Sequence, residues 1–157
     1  MIKMISHRGN VRGIDLNQEN DPKYITAAAK MGFDVEIDVW RLPNGEWWLG
    51  HDEPQYQTSI DYLMNPVFWC HAKNSDALNY FREHSNHVHF FWHQSDDYIL
   101  TSRGIVWVHS KKHLIPKSVC VLPELGINGD IKQCYGVCSD FIEKYKYTFY
   151  ETATKPD

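Results

Sequence analysis

No stretch of about 18 consecutive apolar residues occurs in the chain, so no membrane-spanning helix is expected. The first ten residues, MIKMISHRGN, turn polar within seven, too short for a signal-peptide core; the expectation is a cytoplasmic protein. No basic block stands out and the net charge is −4, which argues against nucleic-acid binding through a broad phosphate-neutralising surface. A small phosphorylated ligand is not excluded, because a local site can be positive inside an acidic protein. The four cysteines (Cys70, Cys120, Cys134, Cys138) lack the spacing of a zinc site. Cys70 and Cys120 sit in apolar runs and read as small core residues; Cys134 and Cys138 are close enough in sequence to pair, although reduced thiols are the default in a cytosolic protein. There is no repeat, low-complexity stretch or linker, so residues 1–157 read as one domain with room for one core. What is abundant is aromatic: 14% of the residues, with six Trp and nine Tyr, suited to a small core or a pocket wall.

The order of elements is informative. Residues 2–6 form a short apolar strand ending at His7. Asp21-Pro22 opens a helix that Gly32 stops. Residues 33–40 (FDVEIDVW) alternate as a strand, Asn44-Gly45 is a turn, and a short strand runs into His51. A strand over 67–72 precedes a helix from an expected N-cap at Ser75 to about His84. Strands follow over 87–93, 105–110, 118–125 and 135–140, then a short helix in FIEKYKY. Strands alternating with helices suggest a parallel α/β arrangement, but six or seven strands have only about three good helices, an element order shared by a trimmed barrel and an open α/β sheet.

The chemistry centres on FDVEIDVW. Alternate strand residues share a face, so Asp34, Glu36 and Asp38 point one way and Val35, Ile37 and Val39 the other. Acids at i and i+2 offer oxygen ligands suited to Mg²⁺ or Ca²⁺. An edge strand with one solvated face would carry the same pattern. His7 and His51 each follow a strand and bracket the acidic one, supplying an acid and a base of suitable pKa. Arg8 adds a forked donor for phosphate oxygens. His84, His87, His89, His109 and His113 are read as ordinary surface or core histidines.

In order, the chain shows H-R-G (7–9), E-N (19–20), G-F-D-V-E-I-D-V (32–39) and N-G-E-W-W-L-G-H-D (44–52). This resembles the glycerophosphodiester phosphodiesterase family of the phospholipase-C-like phosphodiesterase barrels. Gln18 and Asp21 depart from the family's pattern, and the Gly–Glu interval is shortened. Beyond residue 52 the match thins: in W-C-H-A-K (69–73), Lys73 fits the family's phosphate-facing lysine, while His71 stands where a third acidic ligand belongs. G-V-C-S-D (136–140) resembles the family's closing strand, with Asp140 read as a helix cap.

The resemblance implies a fold: a TIM-type (β/α) barrel, here reduced or incomplete, with several helices replaced by loops, because a full barrel takes about 250 residues. It also implies an activity: metal-dependent cleavage of a glycerophosphodiester or similar small-alcohol phosphodiester. His7 and His51 would be the catalytic acid–base pair, and Arg8 and Lys73 would hold the phosphate. Glu36, Asp38 and His71 would be metal ligands, with Glu19 supporting them or ligating. The metal would be Mg²⁺ or Ca²⁺, or Mn²⁺ or Zn²⁺ if His71 ligates; water, or an acid such as Glu124, are alternatives to His71. Two rival functions share the pattern: a lyase forming a cyclic phosphate, and a degenerate barrel that binds phosphoryl ligands without turnover. The expected partner is a small phosphodiester, and the expected state a monomer or homodimer.

Overall fold

The computed structural model describes residues 2–84 and 86–151. Ten strands are present: β1 Lys3–His7, β2 Asp34–Arg41, β3 Trp47–Leu49, β4 Tyr56–Thr58, β5 Phe68–Ala72, β6 Phe90–Phe91, β7 Tyr98–Leu100, β8 Val106–Val108, β9 Val119–Val121 and β10 Gly136–Ser139. The helices are α1 Pro22–Lys30, α2 Ile60–Leu63, α3 Ser75–Glu83 and α4 Ile142–Glu151, with 3₁₀ turns at Pro123–Leu125 and Ile131–Gln133.

Local chemistry accounts for the ends of the helices. Asp21 caps α1, its side chain accepting from the Lys23 N–H, with Pro22 in the first turn. Asn74, rather than Ser75, caps α3 by accepting from the Ala77 N–H. Both are N-cap residues, but Asn74 also ties the backbone of β2, donating to the Arg41 carbonyl at 2.8 Å.

All ten strands belong to one mixed sheet. Its centre is parallel, in the order β6-β5-β2-β1-β10-β9-β8. The antiparallel β7 pairs with β8, and the β3-β4 hairpin branches from the C-terminal half of β2. The strand β2 is the hub, pairing with β1, β3 and β5.

The expected TIM-type barrel is not formed. Four short helices accompany ten strands, and the sheet does not close. At its open seam β6 and the residues after β7 exchange two bonds: Ser102 N–H to the Phe90 carbonyl at 2.8 Å and Phe90 N–H to Ser102 Oγ at 3.0 Å. No ladder follows from them, because β6 has two residues and β7 enters by an antiparallel hairpin instead of a helical crossover. The segments between β8 and β9 and between β9 and β10 hold no α-helix. The expected long strand over 87–93 is cut to its two central residues, and β4, α2 and β7 were not foreseen.

The alternation of β2 sorts the two faces. Val35, Ile37 and Val39 pack on the helix side with Ile25, Ala28, Ala77, Phe81 and Ile142. The other face encloses a second core from Ile5, Trp69, Phe91, Ile99, Trp107, Val119, Val121 and Cys138. Trp107 reaches across it to Phe91 and Trp69, with ring centroids 4.8 and 5.7 Å apart, so the sheet curls around this core. All four cysteines are buried and free, so Cys134 and Cys138 do not pair. No helix among the described residues is long and apolar enough to cross a membrane.

The outer core should be sensitive to truncation. Phe81 is fully buried and stacks on Trp47 at 5.2 Å. Phe81→Ala is expected to lower stability by about 3–5 kcal/mol in denaturant unfolding. A loss below about 1 kcal/mol would show that this packing is not what holds α3 to the sheet.

Candidate functional site

The C-terminal ends of the parallel strands open into a cavity of about 550 Å³. Ligands in open α/β sheets bind outside the carboxyl ends of strands, and here that end carries the polar residues. His7, Arg8, Glu36, His51, His71 and Lys73 all line the cavity. Parallel register explains part of this convergence: His7 pairs with Glu36 between β1 and β2, and Asp38 with His71 between β2 and β5.

Asp38 lies beneath the cavity and is fully buried. Its Oδ2 accepts from Asn20 Nδ2 at 2.9 Å and lies 3.0 Å from Arg8 Nε. Its Oδ1 is 3.0 Å from His71 Nδ1 and 3.5 Å from Lys73 Nζ. Asn20 also accepts the Asp38 backbone N–H at 2.9 Å, closing a reciprocal pair. Burial alone would raise the Asp38 pKa, but the His71 hydrogen bond and the Arg8 and Lys73 charges hold it far below the usual carboxylate range.

Glu36 is the contrasting acid. Its Oε2 is buried without a hydrogen-bond partner. Burial first, then repulsion from Asp38, raises its pKa. Asp34, on the same strand face, lies at the other end of β2, where it binds Lys3 Nζ and Trp69 Nε1.

His7 Nδ1 lies 2.8 Å from Asp140 Oδ1, and its Nε2 lies 3.9 Å from Glu36 Oε2. Burial opposes charge on this ring, yet the Asp140 hydrogen bond and the Glu36 charge raise its pKa overall. Asp140 is therefore the partner that orients His7, not the expected helix cap; Ser139 Oγ accepts the Phe141 N–H instead. Asn10 joins Asp140 to Glu19, donating to each at 2.8 Å. Glu19 accepts in turn from Arg8 at 3.1 Å, so it holds Arg8 in place and lies outside the candidate ligand group. Arg8 itself adopts the left-handed conformation, with φ 54°, a strain concentrated where a loop must aim a side chain.

His51 is more open, with Nδ1 2.7 Å from Asp52 Oδ1. Burial and the Arg8 charge lower its pKa. Its loop is fixed from behind. Trp40 Nε1 donates to the Gly50 carbonyl at 2.7 Å, and Gly50, with φ 150°, has no room for a Cβ, which would fall 2.0 Å from the Glu53 carbonyl oxygen.

Two further histidines belong to the cavity. His93 carried no prior assignment, and His109 was read as ordinary. His93 stacks on His71 at 4.3 Å and meets His109 edge-on at 4.9 Å. Burial pushes His93 down to about 3 and also lowers His109. Their positions just after β6 and β8, on the same end of the sheet as His7, were the available signal. The ordinary reading holds for His89, packed against Trp69 at 4.1 Å, and for His84, stacked on Tyr80.

A divalent cation suits part of this arrangement. One ligand atom each from Glu36, Asp38 and His71 lie within 4.8 Å of one another, and the unpartnered Glu36 Oε2 is a donor in need of a cation. Glu124 is not in this group, since it accepts from Ser139 Oγ and the Asp140 N–H. No protein-family model matches the chain, and the search of curated proteins finds no match.

The His7–Asp140 pair makes stability pH-dependent. His7 is raised above its ordinary 6.5, so its contribution is complete below 6.5 and is lost as pH rises through the folded value. Asp140 is held below its ordinary 3.8, opposed by burial but favoured by His7, so its contribution is present above 3.8 and is lost as pH falls through the folded value. The pair thus stabilises most between 3.8 and 6.5. Asp140→Asn is expected to bring the His7 pKa down in imidazole NMR titrations and to flatten this window; an unchanged His7 titration would remove Asp140 from the role.

Proposed function

We propose that the protein is a phosphodiesterase assisted by a divalent metal. Within that class the substrate is a small-alcohol phosphodiester, with glycerophosphodiesters first, as the resemblance in residues 1–52 implies. The observation that carries the reading is that one cavity gathers two histidines with pKa values displaced in opposite directions, beside Arg8 and Lys73.

Arg8 and Lys73 bind the phosphoryl oxygens and favour the charge that develops on them. A divalent ion held by Glu36, Asp38 and His71 supplies, when bound, further positive charge for those oxygens. His51, whose pKa is lowered, takes the proton from the attacking hydroxyl or water. His7, whose pKa is raised, gives its proton to the departing alkoxide. Asp140 keeps the Nδ1 proton of His7 in place, which leaves Nε2 as the transferring atom. All of these groups come from one chain. Four reduced thiols support a cytoplasmic setting.

A second reading has one observation in its favour. Both oxygens of Asp38 are already matched by Arg8, Asn20, His71 and Lys73, so the charge balance around it is complete without a metal. That arrangement suits a protein that binds phosphoryl groups without turnover.

The test is a panel of glycerophosphodiesters assayed with Mg²⁺, Ca²⁺, Mn²⁺ or chelator, with phosphorus NMR separating open from cyclic phosphate products. His7→Ala and His51→Ala are each expected to cost about 10²–10⁴ in rate. The pH profile of kcat/KM should be bell-shaped, with its acid limb absent in His51→Ala and its alkaline limb absent in His7→Ala. The Glu36→Gln, Asp38→Asn double variant should lose metal-dependent cleavage; full activity in it would sink the metal assignment. Diester binding without cleavage, unaffected by chelator, would establish the second reading.

A further inference from the structure

Asn10 follows directly on the H-R-G run, yet it does not line the cavity and is fully buried. Its main chain is pinned to the end of β1. The Asn10 N–H donates to the His7 carbonyl at 2.9 Å, and the Asn10 carbonyl accepts from Ser6 Oγ at 2.8 Å. Its side chain is engaged at every position. Nδ2 donates to Glu19 Oε1 and to Asp140 Oδ1, both at 2.8 Å. Oδ1 accepts the Asp15 N–H at 3.2 Å and the Tyr24 hydroxyl at 3.3 Å. These bonds use the donors and the acceptor pairs that a carboxamide has, so the group is held in one orientation.

What those bonds hold does reach the cavity. Glu19 uses its other oxygen, Oε2, to accept from Arg8 at 3.1 Å. Asp140 Oδ1, the atom that accepts from Asn10, also lies 2.8 Å from His7 Nδ1. Neither acid lines the cavity, whereas Arg8 and His7 both do. One carboxamide thus stands behind a phosphate-facing cation and a histidine, bridging two carboxylates from the loop after β1 and the end of β10. Few side chains fit the place. Ser and Thr have a single donor, Gln is a methylene longer in a position with no exposed surface, and an ionised Asp would add a third carboxylate with no donor.

We propose that Asn10 is a positioning residue serving both halves of the reaction: through Glu19 it sets Arg8 for the phosphoryl group, and through Asp140 it aims His7 at the leaving oxygen. The assignment rests on the phosphodiesterase reading. Proton delivery from His7 matters most where the departing group is poor. An alkoxide must be protonated as it leaves, while a nitrophenolate departs without a proton. A loosened His7 therefore penalises alkyl diesters selectively, and a general disturbance of the fold penalises both kinds alike.

The test compares cleavage of a glycerophosphodiester with that of a bis-nitrophenyl phosphate, and measures inorganic phosphate binding by calorimetry, which needs no turnover. Asn10→Ala is expected to weaken phosphate binding about tenfold, the worth of one hydrogen bond to a charged group. Its kcat should fall about tenfold further on the glycerophosphodiester than on the nitrophenyl diester. Asn10→Asp, equal in shape but without N–H donors, should do no better than Asn10→Ala. Wild-type phosphate binding and leaving-group preference in Asn10→Asp overturn the proposal, as do equal kcat losses on the two diesters in Asn10→Ala. Should the Asn10 variants not fold, Tyr24→Phe decides, because the part-buried Tyr24 hydroxyl reaches His7 and Arg8 through Asn10. A loss of about threefold on the glycerophosphodiester alone supports the proposal, and no loss overturns it. Wild-type protein that binds phosphate but cleaves neither diester removes the catalytic reading; weakened phosphate binding in Asn10→Ala then supports the hold on Arg8, and unchanged binding overturns the proposal. Wild-type cleavage that neither Asn10 variant alters leaves the catalytic reading standing and overturns the positioning role. Wild-type protein that binds no phosphate overturns both.

Discussion

A carboxylate with no access to water must be matched by charge and hydrogen bonds, and the site is organised around that requirement at Asp38. Two segments, the loop after β1 with Arg8 and Asn20 and the end of β5 with His71 and Lys73, converge on its two oxygens. Leaving such a charge unpaired costs about 3–5 kcal/mol, so these segments are not free to drift apart. The loop after β1 is held by Arg8 and Asn20, and the end of β5 by His71 and Lys73. The cavity mouth is thus fixed by the same contacts that neutralise its buried acid.

Glu36 shows what happens two residues away without such matching. Its Oε2 has no hydrogen-bond partner, and burial with repulsion from Asp38 raises its pKa. The two acids together give the site its asymmetry: Asp38 is matched by Arg8, Lys73 and His71, while Glu36 has only His7 and His71 nitrogens 3.9 Å away. His7 sits between Glu36 and Asp140, two carboxylates that favour its charged form. Burial first, then the Arg8 and Lys73 charges, disfavours charge on His51. Burial, hydrogen bonding and fixed charge together displace the two histidines in opposite directions.

The fold serves this arrangement with little material. The curl of the sheet comes from the inner core, where Trp69, Phe91 and Trp107 meet across strands remote in order. Helices cover only the outer face, and the seam between β6 and the end of β7 stays open. An open seam leaves β6 short, and the loop after it brings His93 and Gln94 to the cavity while Trp92 packs with the outer core.

Much of the site was legible in the chain. Alternation in FDVEIDVW separates acids from aliphatics with no tertiary information, because strand geometry sets that period. His7, Arg8, Glu36, His51, His71 and Lys73 were readable as a group from ordered motifs, and they do line one cavity. Asp140, His93 and His109 were not, since a lone Asp after a strand looks like a cap and a lone His in an aromatic run looks like core. Sheet closure was misjudged for a similar reason. Strand order and helix count say which elements exist, but closure depends on whether the last edges meet with enough length to pair. By itself the sequence determined the local pattern: which residues alternate, cap and turn. The tertiary structure alone decided which distant residues share an environment, because burial and charge pairing act between groups that the chain keeps more than a hundred residues apart, as His7 and Asp140 are.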